Sequence, residues 1–216
     1  MSLVAHWRLN EQGGTNAVDS VSTNDGTSAN TIVTDNRGII FDGATDLITV
    51  PDNATLDVGT GAFTLACWVK PVASDANGRM ISKNKYYLAQ SNSGSGIWHF
   101  VILGGASGND YLGSDSAPIT SEWSHVVGTR DASGNMRMYI NGVVQSDKTQ
   151  ANPDDLDNAS DFIIGATNTP DVWFNGSISD VRIYNEDLTA GQVSNLYLST
   201  NGYGRVFRRI RRGLKL

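Results

Sequence analysis

The chain has 216 residues, a formal net charge of −6 and a single cysteine. This length suits one large β domain, because sandwiches of about 200–250 residues commonly form one unit. No apolar run approaches the roughly 18 residues that a membrane span needs, and one cysteine permits neither an intrachain disulfide nor a cysteine metal cluster.

Turn-forming residues separate many short apolar runs, which predicts a protein made mostly of strands. The chain has 23 glycines and only 5 prolines. The first residues, Met1-Ser-Leu-Val, have no basic head or long apolar core, so we predict no signal peptide and a first strand near the start. Further along, Phe63, Leu65, Cys67 and Val69 alternate with other residues, which predicts a strand with one buried face and makes Cys67 a core residue.

Two turns in the second half predict a meander of three antiparallel strands. Residues 131–135 read Asp-Ala-Ser-Gly-Asn and separate two apolar runs. Asn141-Gly142 then supplies the positive backbone angles of a tight hairpin. By contrast, residues 84–117 are rich in Gly, Ser, Asn and aromatics without a clear pattern, so we expect variable recognition loops there.

The last patterned block predicts a closing strand followed by a short helix. Ser179, Val181 and Ile183 alternate with polar neighbours, the period of a strand with one face buried. Thr189 stands three residues before Gln192, the spacing of a capping box. Val193, Leu196 and Tyr197 would then share one face of the helix.

Nine segments follow the order of landmarks in the laminin-G-like, concanavalin A-like jelly roll family, which the chain resembles over nearly its whole length. The resemblance implies an all-β sandwich of two antiparallel sheets over residues 1–200, with a short C-terminal helix, and leaves residues 201–216 as a basic extension. Family members are usually secreted, often as modules of longer proteins. The segments are residues 5–11, 19–20, 24–27, 40–43, 47–50, 63–71, 123–131, 138–144 and 173–197.

The same resemblance implies a glycan-recognition module. Sugar binding needs an exposed aromatic ring, which stacks on the apolar face of a sugar, beside groups that fix the hydroxyls. Two groups of residues fit that description, and core or rim packing is the alternative for their aromatics. The first group is Trp173 with Asn168, Asp171 and Asn175, and the second is Trp98 with Tyr86, Tyr87, Asn109 and Tyr111.

Calcium is the ion that the resemblance implies, held between the early loop and the last strand. Asp19, Asn24, Asp25 and Asp180 could supply oxygen ligands. The family commonly has an acidic pair before its final strand motif, whereas this chain has Ser179-Asp180. A solvated acidic turn is therefore the alternative.

Catalysis finds little support in the sequence. The glutamates Glu11, Glu122 and Glu186 are isolated, whereas a glycanase needs a pair of carboxylates across the scissile bond. His6, His99 and His125 follow no metal spacing, and we expect His125 to be a hydrogen-bonded structural residue. We therefore predict that the protein is not an enzyme.

The C-terminal tail differs sharply in charge from the rest. Residues 1–204 contain 10 Lys or Arg against 22 Asp or Glu, a net charge of −12, which disfavours sequence-specific nucleic-acid binding. Residues 205–216 carry +6, and their apolar residues have helical spacing, as in a docking peptide for a protein partner, another copy or a particle. The predicted docking residues are Arg205, Phe207, Arg208, Arg209, Ile210, Arg211, Arg212, Leu214 and Lys215.

Two functions stay open at this point. One is a non-catalytic lectin-like module for glycan recognition or adhesion. The other is a structural decoration or surface protein of a virus particle, attached through the tail. Either would place the protein on a virion surface or outside the cell.

Overall fold

The computed structural model describes residues 2–35, 37–73, 77–91, 96–105, 108–149, 154–168 and 171–201. Within these ranges, two antiparallel sheets pack face to face around one main core, and an α-helix follows the last strand. This architecture confirms the predicted β-sandwich. None of the helices in these ranges has the length and apolar character that crossing a membrane would require.

The first sheet contains eight strands in the part of the chain that is described. Its long central strands are buried on both faces, and its short strands lie at one edge. In hydrogen-bonded order the sheet contains β14 (Val143–Thr149), β13 (Asn135–Ile140), β12 (Ser124–Arg130), β7 (Phe63–Pro71), β16 (Asn175–Tyr184), β5 (Gly38–Asp42) and β4 (Thr34–Asp35), while β1 (Leu3–Trp7) also pairs with β16.

The second sheet also contains eight strands within the described ranges. Three of them fall in residues 84–117, so the prediction of variable loops there is wrong. In hydrogen-bonded order the sheet contains β11 (Gly108–Gly113), β10 (Trp98–Gly105), β9 (Tyr86–Gln90), β8 (Gly78–Lys83), β15 (Phe162–Ile164), β6 (Ile48–Val50), β3 (Gly26–Ser28) and β2 (Asn16–Ala17).

The predicted three-stranded meander is confirmed in β12, β13 and β14. The turn between β13 and β14 places Asn141 at φ 52° and Gly142 at φ 80°. Both angles are positive, as a two-residue hairpin turn of this type requires. The local signal in the sequence was therefore sufficient to define this element.

The core lies between the two sheets and is crossed by β7. Cys67 is fully buried there, and burial raises the pKa of its thiol. Phe63 of β7 contacts Phe100 of the facing sheet, with ring centroids 5.9 Å apart. Gly128 of β12 lies so close that an added Cβ would be 2.4 Å from the Phe100 ring. The two sheets therefore approach closely at this point, where a glycine faces an aromatic ring.

The closing strand β16 is interrupted by a bulge. Its first half pairs with β5 and its second half pairs with β1. Between these halves the register against β7 shifts, and Asp180 has φ 55°, in the left-handed region. The bulge therefore marks the point where the strand changes its partner.

The α-helix α1 (Ala190–Thr200) covers the outer face of the first sheet. Thr189 caps it, and the predicted capping box with Gln192 is confirmed. Val193 and Leu196 are buried against that sheet. Tyr197 stacks on Trp68 with a centroid distance of 5.6 Å, which fixes the C-terminal end of the helix over β7.

One lysine and one arginine are buried where loops meet the sandwich. Lys83 Nζ donates to Asp52 and Asp57 at 2.8 and 2.9 Å and to the Asn158 carbonyl at 2.7 Å. Arg130 donates to three backbone carbonyls, and its side chain lies near the Phe63 ring. These side-chain cations satisfy oxygens that loop ends would otherwise leave unpaired.

Candidate functional site

The outer side of the second sheet carries two adjacent rows of side chains. Tyr87, Ala89 and Val101 form a cluster of their own, separate from the main core. Val101 pairs with Tyr87 on one neighbouring strand and with Tyr111 on the other, so both tyrosines lie in one row. His99 pairs with Ala89 and belongs to the next row.

Arg79 of β8 lies at the end of these rows. Its guanidinium carbon is 3.2 Å from the centroid of the Tyr87 ring, a close cation–π contact. Burial lowers the pKa of Arg79, while the nearby Tyr87, Tyr111 and Asp171 oppose that shift. A guanidinium stays charged under such conditions, so the cation is fixed in place on the face of the tyrosine.

Hydrogen bonds orient the two tyrosines. Tyr87 and Tyr111 are hydrogen-bonded through their side chains, and burial raises the pKa of Tyr87. Asn109 Nδ2 donates to the Tyr111 hydroxyl at 3.2 Å. The Tyr111 side chain nevertheless remains open to solvent, since the residue is 49% exposed. His99 meets it edge-on at 6.4 Å, and burial lowers the pKa of His99.

A cleft of about 250 Å³ opens beside Arg79. Hydrogen bonds fix its polar groups: Thr167 donates to Asp171 at 2.7 Å, and Asn168 Oδ1 accepts from the Asn84 amide at 2.9 Å. We call the two rows and this cleft, taken together, the Arg79 face. The cleft is lined by Arg79, Ser82, Asn84, Leu103, Thr167, Asn168, Asp171 and Val172.

Five of the predicted glycan residues meet at the Arg79 face. They are Tyr87, Tyr111, Asn109, Asn168 and Asp171, which come from two strands, β9 and β11, and one loop. The sequence analysis missed Arg79 itself, because its partners lie far from it along the chain. Alternation within residues 86–90 was the available signal, since it separates Tyr87 from the core-facing positions on either side.

Trp98 and Tyr86 do not offer exposed rings, so that expectation is wrong for both. Trp98 is 1% exposed and belongs to the main core, where it also lines a separate cleft of about 240 Å³. Tyr86 is fully buried and donates its hydroxyl to the Leu56 carbonyl at 2.7 Å. A ring packed in the core has no free face to stack on a sugar.

Trp173 lies at the rim of the Arg79 face, whereas Asn175 lies away from it. Trp173 is half-buried, and its backbone bridges to that of Arg79, so it supports the Arg79 face from behind the cleft. Asn175 is exposed and begins β16 in the first sheet, opposite Asp42. The structure therefore separates Asn175 from the other predicted residues.

The residues predicted for calcium are placed differently from that expectation. Asp19 Oδ1 accepts from the backbone amides of His6 and Val21 at 2.9 and 3.0 Å, and Oδ2 accepts from the Ser22 hydroxyl. Burial would raise the pKa of Asp19, but the bond from Ser22 and those from the backbone lower it. Asp25 Oδ1 in turn accepts from the Asp19 amide at 2.8 Å.

Asp180 is held by the side chains of His6 and Arg182. His6 Nε2 lies 2.5 Å from Asp180 Oδ1, and Arg182 donates to both carboxylate oxygens. Asn24 is buried and donates to Ser22 and Thr55. Across the described residues, no three His, Cys, Asp or Glu side chains form a group that could hold a metal. This donor set therefore does not fit calcium well, because its carboxylates already accept from protein donors.

The three glutamates and His125 occupy separate places in the described structure. Glu11 accepts from the Val18 amide, Glu186 contacts the Ser2 amide, and Glu122 lies in an exposed turn. His125 packs between Trp68 and Tyr197, and burial lowers its pKa to about 3. Its ring Nδ1 has no hydrogen-bond partner among the described residues, so the expected hydrogen-bonded role is wrong at that atom and packing holds the ring instead.

Comparison with known proteins identifies the fold. A family model described as the concanavalin A-like lectin/glucanases superfamily matches residues 42–194. No curated protein matches the chain by sequence.

Solved structures with the same fold include three botulinum neurotoxin fragments. The receptor-binding domain of the C/D mosaic serotype has a TM-score of 0.72 at 15% identity, covering 91% of this chain and 51% of that one. The serotype D ligand-binding domain in complex with N-acetylneuraminic acid has a TM-score of 0.70 at 15% identity, covering 91% and 50%. The binding domain of neurotoxin DC in complex with rat synaptotagmin II has a TM-score of 0.72 at 14% identity, covering 92% and 52%. The chain thus spans about half the length of these structures, and likeness at such identity establishes the fold alone.

Proposed function

Because the chain belongs to the concanavalin A-like lectin/glucanase superfamily, whose fold alone does not determine function, we propose from its site that it is a non-catalytic module that binds a glycan at the Arg79 face. The observation that carries the proposal is the exposed ring of Tyr111 beside a fixed cation and a polar cleft.

The parts of this site match what a sugar requires. The Tyr111 ring offers an apolar surface that can stack on the apolar face of a pyranose. Arg79 supplies donors, Asp171 supplies an acceptor, and Asn109 supplies both. The cleft of about 250 Å³ is smaller than the roughly 300–1,000 Å³ of sites for drug-sized ligands, so it suits one sugar residue at the end of a chain.

The related structures support a binding role without locating it. One of them was solved with N-acetylneuraminic acid and another with a protein receptor, so this fold is used for recognition in those proteins. The position of a ligand is not carried over, because half of each of those chains has no counterpart here.

Substitution of Tyr111 tests the proposal on a glycan array followed by titration calorimetry. Tyr111→Ala should weaken binding about 5-fold to 100-fold, the equivalent of about 1–3 kcal/mol for a lost aromatic face. Tyr111→Phe keeps the ring and should retain most of the affinity. Val143→Ala removes an exposed apolar side chain from the other sheet and serves as the matched control.

Two results would remove support for glycan binding. The first is a wild-type protein that binds no glycan at millimolar concentration. The second is a glycan whose affinity is the same for wild type and Tyr111→Ala, since the ligand would then lie elsewhere.

A second role, attachment to a virus particle or another larger assembly, is favoured by the six Lys or Arg residues within residues 205–216. These residues lie outside the described part of the chain. Like charges so close together need an anionic partner, which an acidic protein surface would provide. Deleting residues 205–216 should leave the melting temperature nearly unchanged and abolish association with the particle. Association that survives the deletion would remove the support for this role.

A further inference from the structure

A second cleft, of about 380 Å³, lies where β16 changes its partner from β5 to β1. Three arginines from distant parts of the sequence line it: Arg8 after β1, Arg37 between β4 and β5, and Arg182 in β16. We call it the arginine cleft. It lies on a different sheet from the Arg79 face and shares no residue with it.

Two of these arginines are oriented by neighbouring side chains. The Arg37 guanidinium lies 3.7 Å from the Trp68 ring centroid and 4.9 Å from that of Trp123, and it donates to the Thr200 carbonyl at 3.4 Å. Arg182 donates to the Asp180 carboxylate at 2.9 and 3.2 Å. Arg182 also donates from Nε to Asp180 at 3.1 Å and from Nη1 to the Tyr184 hydroxyl at 3.4 Å. Because each guanidinium has five donors in a rigid plane, these contacts fix its direction, and Arg37 keeps more donors for a ligand than Arg182 does.

Arg8 differs from the other two because it is exposed. Its side chain makes no hydrogen bond or ion pair with any residue of the described ranges. Its backbone carbonyl, however, accepts a hydrogen bond from the Asp180 amide at 3.1 Å. This bond holds the backbone of Arg8 in place at the bulge. Among the described residues, none competes with a ligand in the cleft for the Arg8 donors.

The charge of this cleft is opposite to that of the surrounding body. Its three arginines face one carboxylate, that of Asp180, whereas residues 1–204 as a whole carry −12. Three of only ten cations in those residues thus line one concave surface. Such an arrangement is unfavourable by itself, since like charges repel, and an oxyanion would relieve it.

The remaining lining identifies the kind of molecule that would carry the oxyanion. Asn10, Ser179 and Ser199 add amide and hydroxyl groups, which can pair with the hydroxyls of a sugar. Arg37 lies over the neighbouring indoles Trp68 and Trp123, so the faces that these rings turn towards Arg37 are closed to a nucleobase. The volume of about 380 Å³ exceeds what a bare anion needs and falls within the range for small organic ligands.

We propose that the arginine cleft is a second binding site, specific for the carboxylate or sulfate of an acidic sugar residue, with Arg8, Arg37 and Arg182 as its donors. This site is independent of glycan binding at the Arg79 face. The protein would then contact an acidic glycan through one cleft that recognises charge and another surface that recognises shape.

Matched sugars test the recognition of charge. Glucuronic acid and glucose differ only in the carboxylate, so titration of the full chain by NMR or calorimetry should detect glucuronate and inorganic sulfate but not glucose. Binding of glucose as strong as that of glucuronate would overturn the proposal. Binding of sulfate alone would overturn its assignment to an acidic sugar.

Arg8→Gln provides the main variant, because Arg8 has no contact through its side chain that folding could depend on among the described residues. It should weaken binding of glucuronate and sulfate about tenfold, the loss expected for one charge-assisted hydrogen bond. Arg8→Lys should recover part of that loss. Equal affinity for wild type and Arg8→Gln would overturn the proposal.

Arg79→Gln removes the same charge from the other surface and separates the two proposals. It should leave binding of glucuronate and sulfate unchanged while weakening the glycan found for the Arg79 face. If Arg79→Gln, and not Arg8→Gln, abolished binding of glucuronate, the acidic sugar would belong to the Arg79 face and the arginine cleft would lose its assigned ligand.

Discussion

Replacing Lys83 with methionine should destabilise the protein strongly. The Lys83 side chain is fully buried, while its partners Asp52 and Asp57 are 35% and 23% exposed. Its three donors meet three acceptors, the two carboxylates and the Asn158 carbonyl. Methionine keeps the length and apolar stem of lysine but leaves these three acceptors without their donor.

The expected loss in the free energy of unfolding follows from the burial of Lys83 and of its two aspartate partners. Removing one partner of a buried ion pair typically costs about 3–5 kcal/mol. Water reaches both aspartates here, which reduces that cost, so we expect about 3 kcal/mol for Lys83→Met. For a domain of this length, that change corresponds to a decrease in melting temperature of about 6–12 °C.

Urea denaturation and thermal melts measure this loss directly. Lys85→Met is the matched control, because Lys85 lies two residues away and, among the described residues, donates only to the carbonyls of Asp155 and Asp157. It should cost less than about 1 kcal/mol. Combining Lys83→Met with Asp57→Asn should cost less than the sum of the two single changes, since the double variant leaves fewer charges unpaired. A loss for Lys83→Met no larger than that for Lys85→Met would refute the reasoning.

Three further predictions concern packing, pH and calcium. Gly128→Ala would place a Cβ 2.4 Å from the Phe100 ring and should cost about 1–3 kcal/mol, whereas Gly191→Ala in the helix, with no atom within 4 Å, should be neutral or stabilising in the same urea titration. Burial would raise the pKa of Asp180, but the bond to His6 and the charge of Arg182 lower it below its ordinary value. The carboxylate therefore stabilises the fold above about pH 4 and loses this effect as the pH falls towards its folded pKa. Asp180→Asn should reduce the dependence of the unfolding free energy on pH between pH 5 and pH 2. The same pH dependence in wild type and variant would contradict this. We expect identical melting temperatures with EDTA and with calcium, because the donors fit calcium poorly. If calcium did bind the folded chain, a hundredfold excess over Kd would add about 2.7 kcal/mol to the free energy of unfolding. A higher melting temperature with calcium would therefore reverse that conclusion.

Local signals in the sequence were enough for the elements that depend on local geometry. The hairpin at Asn141-Gly142 needs positive φ angles, and the helix after Thr189 needs a reciprocal cap, so each can be recognised from a few neighbouring residues. The alternation in β16 was also correct for Val181 and Ile183. The sequence did not reveal the bulge at Asp180, because it arises where the strand changes partners.

Burial of the aromatics could not be predicted in the same way. Trp98 and Tyr111 both lie in the segment expected to form loops, yet one faces the core and the other faces solvent. Which face of a strand is buried depends on the opposite sheet and not on the strand alone. The candidate site was therefore predicted in part: Tyr111 and Asp171 belong to it, whereas Trp98 does not.

Polar and charged side chains link separate parts of this fold. The early loop and the last strand are linked because His6 contacts Asp180, while the loops around Lys83 converge on its ammonium group. Each of these links joins distant parts of the chain through contacts between its own side chains. The cations that serve the fold are buried or paired, whereas Arg8 is exposed and unpaired among the described residues. That contrast distinguishes a residue that stabilises the sandwich from one that is available to a ligand.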